Sequence, residues 1–360
     1  MDVALEREAE LEQFDTAVES ASRNDGSLVV IEGPAGIGKS LLLELAQERA
    51  GDRGMLTLTA RCGPLEREFS FGVMRQLFER HLVQAGDERR AMLLSGAAEL
   101  SAPALGIPGG ESAPVDASFA VSHGLYWLVA NLALDQPVLL AIDDVQWADA
   151  PSLRALLYVT ARLEGLPVLV AVATRSGESE ADADLLGELL RQSRAALRPA
   201  PLTAAGIEAM IESRTGVPAA ADLVAAAERA TGGNPSLLEE LLRALRADGL
   251  DIATMRGEEI ERFGPRTVAR SLLLRLGRLP HAAAALARAV AVLAGQAELR
   301  HAAALAGVDE PEAGRAADAL AAAEIFRPGR PLAFVHPMVR TAVYDDIPSA
   351  ERAALHARAA

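Results

Sequence analysis

Three groups of residues in this 360-residue chain have the types and spacing for phosphoryl chemistry. The first is Gly33-Pro34-Ala35-Gly36-Ile37-Gly38-Lys39-Ser40, running on into Leu41, a complete G-x-x-x-x-G-K-[ST] phosphate-binding loop. Backbone N–H groups of Gly36, Gly38, Lys39 and Ser40 are expected to face phosphate oxygens at a helix N-terminus. The compact ammonium of Lys39 suits a reach between β- and γ-phosphates, and no other lysine occurs in the chain. The second group is Asp143-Asp144, which closes an apolar run. Asp143 is placed to face a Mg²⁺ held by Ser40, and Asp144 to polarise an attacking water as general base. The third is Arg175 at the end of the next apolar run, where a charge-assisted hydrogen bond to a γ-phosphate is available to it. Each has a plain alternative: a Gly-rich turn with a surface lysine, an acidic helix-entry turn, and a surface arginine.

Such groups act together only if strands and helices bring them to one place. Leu28–Ile31, Val138–Ile142 and Val168–Ala173 are short continuous apolar runs, as buried parallel strands should be. Met55–Ala60 alternates and reads as a further strand, with a weaker one near 196–202. Helices are expected over 5–23, after the glycine loop from Leu41, over 70–85, 87–100 and 117–134, and from Pro151. The stretch 101–116, rich in Pro and Gly, reads as a loop. Strands alternating with helices predict an α/β fold, a parallel sheet with helices on both faces, whose C-terminal strand ends gather where ligands bind. From 203 onward the expectation is helical: 203–214, 219–230, 235–248, 266–277, 280–294, 298–306, 312–324 and a last helix from Ser349, with a β-like interruption at 332–335. That last helix reaches Ala360 without a cap, which reads as a cut rather than a natural end.

Composition narrows the classes. A net charge of −15 argues against a broad nucleic-acid footprint. No apolar stretch reaches membrane-spanning length without a charge, and the N-terminus has no basic signal-like region. The single Cys62 excludes an internal disulfide framework and is expected to be buried at a strand end; the six histidines show no metal-ligand spacing. A reducing cytoplasm fits these features. The lone lysine also leaves none for an Asn-Lys-x-Asp guanine-reading element, a kinase strand lysine or a Schiff base.

The glycine loop together with Ile142-Asp143-Asp144-Val145-Gln146-Trp147-Ala148-Asp149 resembles the signal-transducing ATPases with numerous domains, the STAND class. Within the motif, Trp147 is read as packing the helix start in preference to stacking on a base. Residues 60–78, Ala-Arg-Cys-Gly-Pro-Leu-Glu-Arg-Glu-Phe-Ser-Phe-Gly-Val-Met-Arg-Gln-Leu-Phe, are similar to the large ATP-binding LuxR-family transcriptional regulators of actinobacteria. The resemblance implies an ATPase core over 1–202, a helical lid over 203–279 and a winged-helix-like domain over 280–360, truncated in its last helix. It implies ATP or ADP with Mg²⁺ as cofactors. Arg7, in a segment that usually reads Gly-Arg-Glu and here has Glu6 for the glycine, would lie against the adenine. Pro235 of Thr231-Gly232-Gly233-Asn234-Pro235 would pack near the base, and His336 would approach the ADP β-phosphate. For His336 a buried or capping role is the alternative.

The motifs and the resemblance together imply two functions. One is an ATP/ADP switch with slow hydrolysis controlling a transcriptional regulator, self-associating with ATP. Its DNA would be met only through a C-terminal domain absent from this chain, with an inducer or regulatory protein as a further partner and no membrane. The other is a mechanical AAA-type ATPase or remodeller acting as a ring, with an arginine supplied by a neighbour.

Overall fold

The computed structural model describes residues 5–63, 69–107, 118–175, 183–247, 249–250, 252, 255–260, 273, 276–293, 297–323, 325–327, 329–334 and 337–359. Five strands form one sheet: β1 (Ser27–Gly33), β2 (Leu56–Arg61), β3 (Val138–Asp143), β4 (Val168–Arg175) and β5 (Ala195–Leu197), in the order β2-β3-β4-β1-β5. Every pairing is parallel. β3 is buried along its whole length, because both sheet faces are covered. Leu28 and Val30 of β1 and Val138, Leu140 and Ile142 of β3 point to one face, packed by α3 (Gly72–Gln84), α5 (Ser118–Ala133) and α6 (Ala150–Thr160). Val29, Ile31, Leu139, Ala141 and Ala171 point to the other, against α1 (Glu8–Ser22) and α2 (Lys39–Asp52). The alternation follows from the two-residue period of a strand. On the edge strand β2 only Leu58 and Ala60 are buried, while Thr59 and Arg61 are exposed, which is the alternation seen in the sequence.

The expected elements are present with small shifts of boundary. α1 begins at Glu8, and Leu11, Phe14 and Val18 form its buried face with Ala21, but Leu5 precedes the helix and packs with the later helices. The expected helix over 87–100 is two pieces, α4 (Asp87–Leu93) and one tighter turn, Gly96–Ser101. Cys62 is buried directly after β2. Trp147 packs partly buried against the sheet core.

Two helices were not expected. α7 (Ala183–Arg191) joins β4 to β5; it is short and has Gly187 at its centre, so its local propensity is weak. The segment Pro337–Asp346 is helical, with Pro337 at its first position, where a missing N–H costs nothing.

After β5 the described chain is helical: α8 (Ala204–Thr215), α9 (Ala221–Thr231), α10 (Pro235–Ala247), and then His281–Leu293, Leu299–Ala306, Glu310–Ala322, Pro337–Asp346 and Ser349–Ala359. The expected helix at 266–277 falls largely outside the described residues. One apolar cluster gathers Ile207, Ile211, Leu223, Leu238, Leu241 and Leu245 from α8–α10. Another gathers Leu286, Val290, Leu320, Phe326 and Phe334. The β-like interruption appears as two antiparallel bridges, Ala297 with Leu332 and Phe326 with Phe334. No helix among the described residues is long and apolar enough to cross a membrane.

Candidate functional site

Register carries the three chemical groups to one edge of the sheet. Gly33, the last residue of β1, lies opposite Arg175, the last of β4. Arg61, the last of β2, lies opposite Asp143, the last of β3. The chain leaves β1 through Pro34, Ala35, Gly36 and Ile37, with Gly38 as the N-cap of α2. Gly36 and Gly38 have φ of +76° and +101°, values open to glycine at little cost. Lys39 and Ser40 begin α2, so their N–H groups are among the four that a helix start leaves without an internal partner.

Lys39 is buried, and its ammonium donates to the carbonyls of Gly33 and Pro34, both at 2.8 Å. Ser40 Oγ donates to Asp143 Oδ2 at 2.7 Å, which joins the two expected metal ligands. Arg61 Nε stands 3.8 Å from the same oxygen. Among the described residues no group of three or more His, Cys, Asp or Glu could hold a metal. A hydroxyl and one carboxylate nevertheless fit Mg²⁺, which keeps several waters and takes the rest of its shell from substrate phosphates.

Asp144 has φ +52° and ψ 44°, and its N–H donates to Asp143 Oδ1 at 3.0 Å. Arg175 Nε lies 3.4 Å from Asp144 Oδ1. Gln146, not singled out from the sequence, is 1% exposed. Its Nε2 donates to Asp144 Oδ1 at 2.8 Å, and its Oε1 accepts from the Arg175 N–H at 3.3 Å. Asp149 is buried; its Oδ1 accepts from Ser152 N–H, capping α6, and from Phe71 N–H at 2.8 Å. That bond ties the acidic motif to the segment preceding α3, so the two most distinctive stretches of the sequence touch.

The helices after β5 close over the glycine loop. Asn234 Nδ2 donates to Ala35 O at 2.9 Å, and Ser236 N–H donates to Gly36 O at 3.1 Å. A Cβ on Gly36 would meet Asn234 Oδ1 and Ser236 Cβ at 2.8 Å, so this approach needs glycine. A cavity of about 430 Å³ opens beside the loop, lined by Leu5, Arg7, Ile37, Leu41, Leu202 and Pro235 among others. Its size and apolar walls suit a nucleoside. Arg214 and Glu239, paired at 2.9 Å, also line it.

Arg7 is 4% exposed, and its Nη2 donates to Ile37 O at 3.0 Å and Ala200 O at 2.9 Å. It braces the glycine loop from within the cavity wall. Glu6, which has φ +58°, reaches the other way. Its carboxylate accepts from Thr203 N–H at 2.8 Å and from the Thr203 hydroxyl, at the start of α8. A Cβ on Gly206 would lie 2.7 Å from Glu6 Cδ. His336 lies outside the described residues.

The family model for the AAA ATPase domain matches residues 4–172. Residues 4–172, just under half of the chain, are thus similar to an AAA ATPase domain. An uncharacterized protein of Rhizobium meliloti (strain 1021) is 27% identical over 391 residues, covering 98% of this chain and 36% of that protein. The chain therefore spans about a third of that relative's length. Among solved structures, the Walker-type ATPase of Pyrococcus abyssi superposes with a TM-score of 0.60 at 14% identity, over 95% of this chain and 96% of that one. A looser likeness, TM-score 0.48 at 16% identity, is to Cdc6p from Pyrobaculum aerophilum, over 96% and 95%. The first of these likenesses shows the fold of the module.

Burial works against the charge of Glu6, but the Thr203 side-chain and backbone hydrogen bonds, the Gly206 N–H and Arg7 outweigh it and hold its pKa below the ordinary glutamate value. A folded pKa below the unfolded one means that the stabilisation is present above the unfolded value and is lost as pH falls through the folded value. Glu6→Gln should therefore flatten the loss of stability on acidification through the carboxylate range, relative to the unaltered protein. Parallel urea titrations across that range test this; identical pH slopes in the two proteins would refute it.

Proposed function

We propose that this module binds ATP and ADP in the crevice between sheet and helices, hydrolyses ATP slowly with Mg²⁺, and works as a switch that controls a transcriptional regulator. The observation that carries this reading is the double attachment of the glycine loop. Asn234, just before α10, and Ser236 in its first turn bind it, and the N-terminal segment braces it through Arg7. A nucleotide that displaces or strengthens those bonds has different affinity for open and closed arrangements, which is the requirement for switching.

In this reading the loop from Gly33 to Ser40, with Leu41, cradles the phosphates, and Lys39 exchanges its two carbonyl partners for phosphate oxygens. Ser40 and Asp143 hold Mg²⁺, which when bound neutralises charge on the phosphates. Asp144 accepts the proton of the attacking water, and Arg175 turns from Asp144 to the γ-phosphate. Leu5, Arg7 and Pro235 bound the base end of the cavity. The division into a core over 1–202, a lid over 203–279 and a winged-helix-like unit over 280–360, with His336 addressing ADP, belongs to this proposal. So do self-association with ATP, an inducer or regulatory protein as partner, and the STAND and LuxR-type affiliation.

The second reading, a mechanical AAA-type ATPase acting as a ring, has the support of the comparisons, because the match over residues 4–172 is to an AAA ATPase domain. Denaturing the purified protein and identifying the released nucleotide separates the two. The switch predicts retained ADP and turnover slower than about one per minute, which corresponds to a barrier near 20 kcal/mol. An empty site with fast turnover by a ring-sized assembly would replace the switch with the motor.

Two substitutions test the site. Lys39→Ala should remove one or two charged hydrogen bonds to phosphate, each worth roughly 1.5–3 kcal/mol, and lower nucleotide affinity at least about tenfold. Unchanged calorimetric binding of ATP and ADP would rule out the loop as the phosphate site. Asp144→Asn should leave ATP binding within about twofold and stop turnover; hydrolysis at the unaltered rate would remove Asp144 from the reaction.

A further inference from the structure

We propose that Gln146 is a positioning residue that fixes which oxygen of Asp144 is offered to the attacking water. The inference rests on the reading of Asp144 as the general base. β3 ends at Asp143, and Asp144 turns the chain through a left-handed conformation that costs a non-glycine residue energy. The turn places Gln146 under the strand ends, where it is 1% exposed and has no solvent to satisfy its amide. Both polar ends of that amide are used. Nε2 binds Asp144 Oδ1 at 2.8 Å, and Oε1 takes the backbone N–H of Arg175 at 3.3 Å. The reversed amide would set an oxygen against a carboxylate and an NH₂ against an N–H, so the pairing fixes its orientation.

The contacts to Asp144 fall on one oxygen. Oδ1 receives Gln146 at 2.8 Å and Arg175 Nε at the longer 3.4 Å. Oδ2 accepts no hydrogen bond among the described residues. Gln146 therefore occupies Oδ1 and leaves Oδ2 as the proton acceptor. Because its other end is fastened to the backbone of β4, it keeps doing so when the Arg175 side chain moves away. A guanidinium on a flexible stem cannot both leave for a phosphate and hold the carboxylate, whereas a buried amide anchored to a strand can.

Gln146→Met removes both hydrogen bonds at nearly constant volume, and Gln146→Glu keeps the acceptor for the Arg175 N–H while losing the donor to Asp144. In the full chain with ATP and Mg²⁺, both should lower kcat about tenfold or more while ATP and ADP affinities stay within about twofold. A packing role alone would lower thermal stability and leave kcat of the folded fraction unchanged. Unaltered kcat in either folded variant, or a rise in KM with kcat preserved, overturns the proposal, and so does failure of both variants to accumulate as folded protein. If the unaltered protein binds ATP but shows no turnover under these conditions, it is the general-base reading that fails, and this inference with it. Normal turnover in Gln146→Met beside a stopped Asp144→Asn leaves that reading intact and sinks the inference alone.

Discussion

The parallel register of β1, β3 and β4 is the constraint on which the site depends. A one-residue slip would turn every side chain of a strand to the opposite face and would separate Gly33 from Arg175 and Asp143 from Ser40. The register is secured by apolar side chains on both faces of three buried strands, so the energy that aligns the chemistry comes from burial far from it. At the aligned edge the opposite situation holds. There the residues are polar, two glycines and one aspartate hold positive φ, and each charged group is answered by a neighbour: Lys39 by carbonyls, Asp143 by Ser40 and Arg61, Asp144 by Gln146 and Arg175.

The seam between the sheet and the later helices is built from adjacent residues with opposite tasks. Arg7 turns inward to carbonyls of the glycine loop and of residue 200, while Glu6 turns outward to cap α8. Consecutive side chains that diverge in this way couple the loop to the helices through a single peptide unit. The positive φ of Glu6 is what makes them diverge. From the sequence, glutamate at this position reads only as the loss of a glycine. The structure gives it work of its own, because a carboxylate at a helix start meets free N–H groups and the positive end of the helix dipole.

Much of this was legible in the sequence because buried parallel strands and a glycine-rich loop at a helix start leave local signatures. Continuous apolar runs marked β1, β3 and β4, and the glycines marked the loop. What was hidden depends on the path of the chain between such signals. Gln146 could be read only as part of a motif, since nothing local reveals that the turn at Asp144 carries it to the Arg175 N–H on another strand. Helix α7 was hidden by its own Gly187, and the helix at Pro337–Asp346 by a proline that reads as a break when its N-terminal position is unknown. The two-piece character of 87–101 likewise reflects tertiary packing against α5 more than propensity.

The burial of Lys39 has a consequence for covalent chemistry. These 360 residues hold a single ε-amine, and it is inside the glycine loop, capped by two carbonyls. Acetylation, methylation and amine crosslinking, which in most proteins spread over many surface lysines, have here one side-chain target, buried within the glycine loop. Reactivity of that amine toward an acylating reagent is thereby a direct gauge of whether the loop is open, shut or filled. Apart from the α-amino terminus, no other group of these residues offers a primary amine to the same reagent.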